Sequence, residues 1–519
     1  METVIGDHQI VVLSGFDSQL IIALIFILLF VACLYEKSRR RDNIPTVNRW
    51  FTLEPTVFSR IRFALNSGRI MEIAYQKYKG QAYRLARGDA DYIVLPAECV
   101  TELNRLPQHM LNSRQCHSYS MTGHLNGINI VLKSNLHVRL LLNTITPALP
   151  RFLQPTSVRI EEEMKRSFPQ DKDSWKSIDM TDRIAVCVGR AFALAVVGAP
   201  MCDNAEFIRL MNEYTKDVFY VMFIMRLVPS ILQPLAVWLL PSKWRLRAGR
   251  KRLEAFIRPN AKKQREEDSR STVISELPSL FKCIINEARN ESEQDPEVVT
   301  GLLMALAVGG TYSAANFIYA AILDLTAHPH YLAEIREELH LKNAEISGRW
   351  DFEAFNSLHK LDSACKETLR LTPGSLTTYS RVMQDDYTLS NGITLRKGQF
   401  ICVHSNGRAR DSSVYPDANK YDALRAYKQD FRAHTTCPFK GVYGQDFRWG
   451  SGRWACAGRY LASMVCKIML VKLLDEYDFQ FEGSEGRPAN TIFHEYVFIR
   501  PGVKLMMRRR EGSLGIRCV

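Results

Sequence analysis

Residues 449–459 read Trp449-Gly450-Ser451-Gly452-Arg453-Trp454-Ala455-Cys456-Ala457-Gly458-Arg459 and lead directly into an apolar helical pattern. This segment constrains the chain more than any other. Gly450 and Gly452 let the backbone turn tightly and approach a flat partner closely. Arg453 brings positive charge to a site that anionic groups would fill. Amides opening the following helix point at the Cys456 sulfur, which favours thiolate over thiol. A tight turn around a structural cysteine is the plainer alternative, since free cysteines are commonly buried.

Three further patterns stand in order along the chain. Asp295-Pro296 supplies an N-cap and a proline at the first helical position, predicting a helix that runs through Ala327. Inside it, Gly309-Gly310-Thr311-Tyr312-Ser313 interrupts an apolar stretch. Each glycine costs about 1 kcal/mol relative to alanine in a helix interior, so the pair predicts a local opening. Glu367-Thr368-Leu369-Arg370 sets opposite charges at i and i+3 on a helical run from Leu361 to Leu371. Arg381 is expected to open a strand, and Asn391-Gly392 to make a tight hairpin turn with positive φ angles.

The N-terminus is of another kind. From Ser18 to Tyr35 the chain carries no charge, a length that spans a bilayer at about 1.5 Å per residue. Lys37, Arg39, Arg40 and Arg41 follow it, whereas Glu2, Asp7 and Asp17 precede it, which puts the amino terminus in the lumen. Apolar residues also crowd Phe219 to Trp244, broken by Pro229, Pro234 and Pro241. A spanning helix tolerates prolines at that spacing poorly. Both contact with the membrane surface and ordinary core packing remain open for that stretch. The twelve cysteines include no Cys-x-x-Cys pair, which argues against a zinc or redox module and suits a reduced compartment.

The Cys456 loop resembles the cysteine-ligand loop of cytochromes P-450, whose fungal form reads Phe-Gly-x-Gly-Arg-His-x-Cys-Pro-Gly-Arg. Gly450, Gly452, Arg453, Cys456, Gly458 and Arg459 match, while Trp449, Trp454 and Ala457 depart from it. The resemblance extends from about Pro45 to Arg508. It implies a mainly α fold with small β-sheets (α+β), in which haem b lies between the long helix and the cysteine loop.

Cys456 is then the axial iron ligand, and Arg453, Arg381, Gly450, Gly452, Gly458 and Trp449 surround the cofactor. Trp454 carries no charge, so the propionate role falls more on Arg453. Ser313 takes the place of the proton-delivering hydroxyl, with Thr311 as the alternative and Gly310 making room for dioxygen. Tyr312 replaces the usual acid. Arg425, in Tyr421-Asp422-Ala423-Leu424-Arg425, would close a structural charge cluster with Glu367 and Arg370. Pocket residues are expected around 114–127, 303–313, 374–379 and 493–498.

The wording around Ser380 to Gly392 and at His494-Glu495-Tyr496 is most similar to fungal microsomal enzymes of terpenoid and indole-terpenoid metabolism, including ent-kaurene oxidases. The resemblance implies a monooxygenase of the endoplasmic reticulum membrane, single-pass, acting on a lipophilic substrate. Its electrons would come from NADPH through NADPH-cytochrome P-450 reductase, with cytochrome b5 as an optional second donor, and no nucleic-acid partner is expected. Two other classes stand beside it: a reductase-independent haem-thiolate isomerase or dehydratase, and a non-catalytic haem- or sterol-binding membrane protein. The expected organisation is a lumenal segment 1–17, an anchor 18–36, a basic linker 37–50, a catalytic domain 51–510 and a tail 511–519.

Overall fold

The computed structural model describes residues 44–51, 54–268, 277–288, 293, 295–429, 438–442, 444, 446–483 and 486–519. The lumenal segment, the anchor, the first half of the linker and the potential glycosylation site Asn290-Glu291-Ser292 lie outside these residues.

The longer helices are α1 (Thr56–Lys77), α2 (Leu149–Ser167), α3 (Thr181–Val196), α4 (Ala205–Met225), α5 (Pro241–Asp268), α6 (Pro296–Ala327), α7 (Pro329–Glu345), α8 (His359–Leu371) and α9 (Arg459–Glu476). Among the described residues α6 is the one helix long and apolar enough to cross a membrane, yet two-thirds of its most apolar stretch is buried. It packs against α3, α4, α5, α8 and α9 and forms the centre of the core. A helix apolar on all sides is stable in water only when surrounded in this way. The Asp295 side chain accepts from the Glu297 amide at 2.8 Å and fixes its start.

The strands are β1 (Thr46–Val47), β2 (Tyr83–Ala86), β3 (Asp91–Leu95), β4 (Leu111–Asn112), β5 (Lys176–Ile178), β6 (Thr378–Met383), β7 (Tyr387–Thr388), β8 (Thr394–Leu395), β9 (Phe400–Val403), β10 (Tyr477–Phe481), β11 (Thr491–Phe493), β12 (Tyr496–Phe498) and β13 (Leu505–Arg509). One sheet has the order β1-β2-β3-β9-β6-β4, a second β10-β13-β5, and two hairpins pair β7 with β8 and β11 with β12.

Several expectations are corrected. The linker does not run to residue 50, because β1 pairs with β2 and the Arg84 amide donates to the Pro45 carbonyl. Nor do residues 511–519 form a separate tail. Ile516 is buried, the Asp475 carboxylate accepts from the Leu514 and Gly515 amides, and the Val519 amide bonds to the Trp350 carbonyl. Arg381 lies inside β6 rather than at its start. In the β7–β8 hairpin only Gly392 has positive φ; the Gly392 amide donates to Leu389 and the Leu389 amide to Ile393, giving a longer loop than a two-residue turn. Finally, α6 continues unbroken through the glycine pair.

The stretch from Phe219 to Trp244 is partly buried and partly exposed. Val221, Met222 and Met225 are buried in the core, whereas Ile231, Leu235 and Leu239 are 87%, 72% and 79% exposed.

Candidate active site

A cavity of about 1150 Å³ lies beneath α4, between α6, β6 and the β11–β12 turn. It exceeds the ~300–1,000 Å³ usual for a small-molecule site, leaving room for a large cofactor and a substrate together. All four segments expected from the sequence contribute to its lining, among them Arg114, Ser313, Thr378 and Tyr496. The sequence reading missed Phe219, Tyr220 and Phe223 of α4, and His137. Apolar runs broken by prolines gave no sign of which α4 residues would turn inward.

Phe223 is the centre of an aromatic wall. Its ring lies 5.4–6.1 Å from those of Phe493, His494, Tyr496 and Phe498. Edge-to-face contacts of this kind make a rigid apolar surface. Behind the wall, Arg226 at the end of α4 binds Glu495 at 2.9 and 3.1 Å and Asp89 at 3.1 Å. Arg87 binds the same two carboxylates.

On α6 the helical period decides which groups meet the cavity. Gly309, Tyr312 and Ser313 line it. Gly310 instead faces Phe192, which a Cβ there would approach to 3.2 Å. Thr311 is fully buried against Gly189 of α3, and its hydroxyl has no hydrogen-bond partner among the described residues. The structure therefore turns Gly310 and Thr311 away from the cavity and presents Ser313. The Ser313 hydroxyl donates to the carbonyls of Gly309 (2.9 Å) and Gly310 (3.0 Å).

In the cysteine loop Gly450 and Gly452 have φ of 81° and 61°, which only glycine adopts without strain. The Cys456 amide donates to the Trp449 carbonyl at 2.7 Å, closing the loop. Cys456 is exposed as a residue, though it is not among those that line the cavity. Burial pushes its thiol up; the amides of Gly458 and Arg459 and the Arg459 charge oppose this. Gly458 does not need positive φ, but a Cβ there would stand 4.0 Å from the sulfur.

A row of rings joins this loop to α6: Trp449 to Phe439 at 5.4 Å, and Phe439 to Phe317 at 5.2 Å. Phe317 lines the cavity one helical turn from Ser313. The Trp449 indole also donates to the Phe439 carbonyl at 2.7 Å.

The cations divide differently from expectation. Arg453 is committed to the carbonyls of Asn104 (3.1 Å) and Leu106 (2.6 Å) and does not line the cavity. Arg381 does line it, held between the rings of Tyr379 (4.3 Å) and Trp454 (5.7 Å). Among the described residues it is buried without a carboxylate partner and its Nε is unbonded, and burial pulls its pKa down to about 10. His137, which also lines the cavity, is held down to about 4 by burial, with its Nδ1 unbonded among the described residues.

Glu367 is buried between two arginines. Arg425 Nε lies 3.1 and 3.2 Å from its oxygens, and Arg370 binds both.

The family model for Cytochrome P450 matches residues 57–507. The chain belongs to the cytochrome P450 family. It is an enzyme of the monooxygenase class that its relatives name. Cytochrome P450 monooxygenase AN1598 of Emericella nidulans is 28% identical over 468 residues, 90% of this chain and 88% of that one. Cytochrome P450 monooxygenase paxP of Penicillium paxilli is 27% identical and covers 90% of each chain. An ent-kaurene oxidase of Gibberella intermedia is 26% identical, covering 90% and 88%. The crystal structure of a cytochrome P450, CYP102L1, superposes with a TM-score of 0.66 at 17% identity, over 90% of this chain and 99% of that one. This cytochrome P450 thus has the helical majority and small sheets of its family.

Proposed function

We propose that this cytochrome P450 is a membrane-anchored haem-thiolate monooxygenase that hydroxylates, or oxidises in several steps, an apolar terpenoid or indole-terpenoid intermediate. The arrangement of Cys456 carries the reading: its sulfur receives helix-start amides and is tied by a row of rings to the helix that presents Ser313. The residues fit haem. Cys456 would ligate iron, and the buried, carboxylate-free Arg381 suits a propionate, with His137 a further donor. When bound, haem with a thiolate ligand supplies the activation of dioxygen.

The protein's own residues do the rest. Ser313 holds a proton at the cavity, the α4 and β11–β12 aromatics bind and desolvate an apolar substrate, and Glu367, Arg370 and Arg425 support the core behind the site. Electrons would come from NADPH through a membrane-bound reductase, and the net charge of +13 suits an acidic flavoprotein. Residues 18–36 would anchor the protein in the endoplasmic reticulum with the domain in the cytosol, and exposed Ile231, Leu235 and Leu239 would rest on the bilayer. A Ser313 hydroxyl at the cavity favours monooxygenation over isomerisation, dehydration or simple haem or sterol binding, which need no proton donor there.

Expression with reductase in a host fed candidate terpenoids, followed by mass spectrometry, tests the proposal. Products heavier by one oxygen atom support it; conversion that proceeds without NADPH would make it an isomerase or dehydratase.

A further inference from the structure

Tyr312 stands beside Ser313 on α6, and both line the cavity. Its surroundings change what it can do. Lys216 of α4 places its ammonium over the Tyr312 ring, 5.7 Å from the centroid. The same ammonium binds Asp182 of α3 at 2.9 and 3.1 Å. All three side chains line the cavity, together with Tyr220 and Ser313. Asp182 is 69% exposed and Lys216 42%, so the group reaches from solvent to the cavity wall. The Ser313 hydroxyl donates to the carbonyls of Gly309 and Gly310, and Thr311 points into the protein. A proton that Ser313 hands into the cavity must be replaced from another group.

We propose that Tyr312 is the group that resupplies protons to this cavity, where Ser313 uses them, and that Lys216, held by Asp182, is the positioning residue that makes it one. This rests on the monooxygenase reading. The phenol O–H gives its proton into the cavity, and the adjacent ammonium stabilises the phenolate left behind. A proton from Lys216 restores the phenol, and the amine is recharged from solvent past Asp182. Burial pushes the Tyr312 phenol up, Lys216 opposes it, and Asp182 and Tyr220 are the other titratable groups acting on it. Lys216 itself, despite burial, is kept charged by Asp182 and Tyr312.

The test uses the full-length, haem-loaded protein with a polyfluorinated tyrosine at position 312, whose phenol titrates nearer neutrality. Fluorine NMR should show its midpoint rising by about one pH unit in Lys216→Met and returning in Lys216→Arg. With reductase and NADPH, the ratio of hydrogen peroxide to product should rise about tenfold in Tyr312→Phe and Lys216→Met, with Lys216→Arg close to wild type. An unmoved midpoint overturns the proposal, as does a moved midpoint with an unchanged ratio. A wild-type protein that makes no product from any candidate substrate counts against the monooxygenase reading instead, and the fluorine titration still reports on the Lys216–Tyr312 pair.

Discussion

Arg370 binds Glu367 through two hydrogen bonds, Nε to Oε2 at 2.8 Å and Nη2 to Oε1 at 2.7 Å, and both side chains are buried. Arg425 and the Asp422 amide bind the same carboxylate. One buried anion therefore organises two cations and the loop behind them. Removing it leaves both arginines uncompensated, at a cost of about 3–5 kcal/mol. Glu367→Ala should yield mostly haem-free or unfolded protein, read as the ratio of haem to protein absorbance; ordinary incorporation would reduce the cluster to an incidental ion pair.

Cys456→Ala should abolish the absorbance near 450 nm of the reduced, CO-bound protein that marks a thiolate ligand. Cys466, buried in α9, serves as the control, because Cys466→Ala should keep the band. A band that survives loss of Cys456 would refute the ligand.

Ser313→Ala should keep haem and substrate binding but lower coupled product formation on the order of 10–100-fold, with the excess NADPH appearing as hydrogen peroxide. Thr311→Ala should leave coupling near wild type, because that hydroxyl packs toward α3. The reverse pattern would show that the functional face of α6 has been misplaced.

Burial alone would raise the Glu495 pKa, but Arg226 and Arg87 outweigh it and bring the value from 4.5 to about 2. A folded-state value below the unfolded one stabilises the protein above about pH 4.5 and loses that contribution as pH falls toward 2, about 3 kcal/mol in all. The urea midpoint of Glu495→Gln should lie well below wild type at pH 7, and the gap should narrow through this window. A gap independent of pH would mean that the carboxylate's charge is not what Arg226 and Arg87 recognise.

The sequence by itself determined the local features: the start of α6 at Asp295-Pro296, the cysteine loop with its obligatory glycines at 450 and 452, and the i,i+3 pair of Glu367 and Arg370. Each depends on backbone preferences or neighbours within one turn, which the chain encodes locally. Tertiary packing decided the rest. Which side of α6 meets the cavity depends on where α3 lies, and that placed Ser313 in the site and Thr311 outside it. Whether Arg453 or Arg381 stands free for an anion depends on carbonyls at 104 and 106, hundreds of residues away in the chain. The burial of residues 511–519 and the partnership of Lys216 with Tyr312 and Asp182 likewise arise between elements distant in sequence, where no local pattern specifies contact.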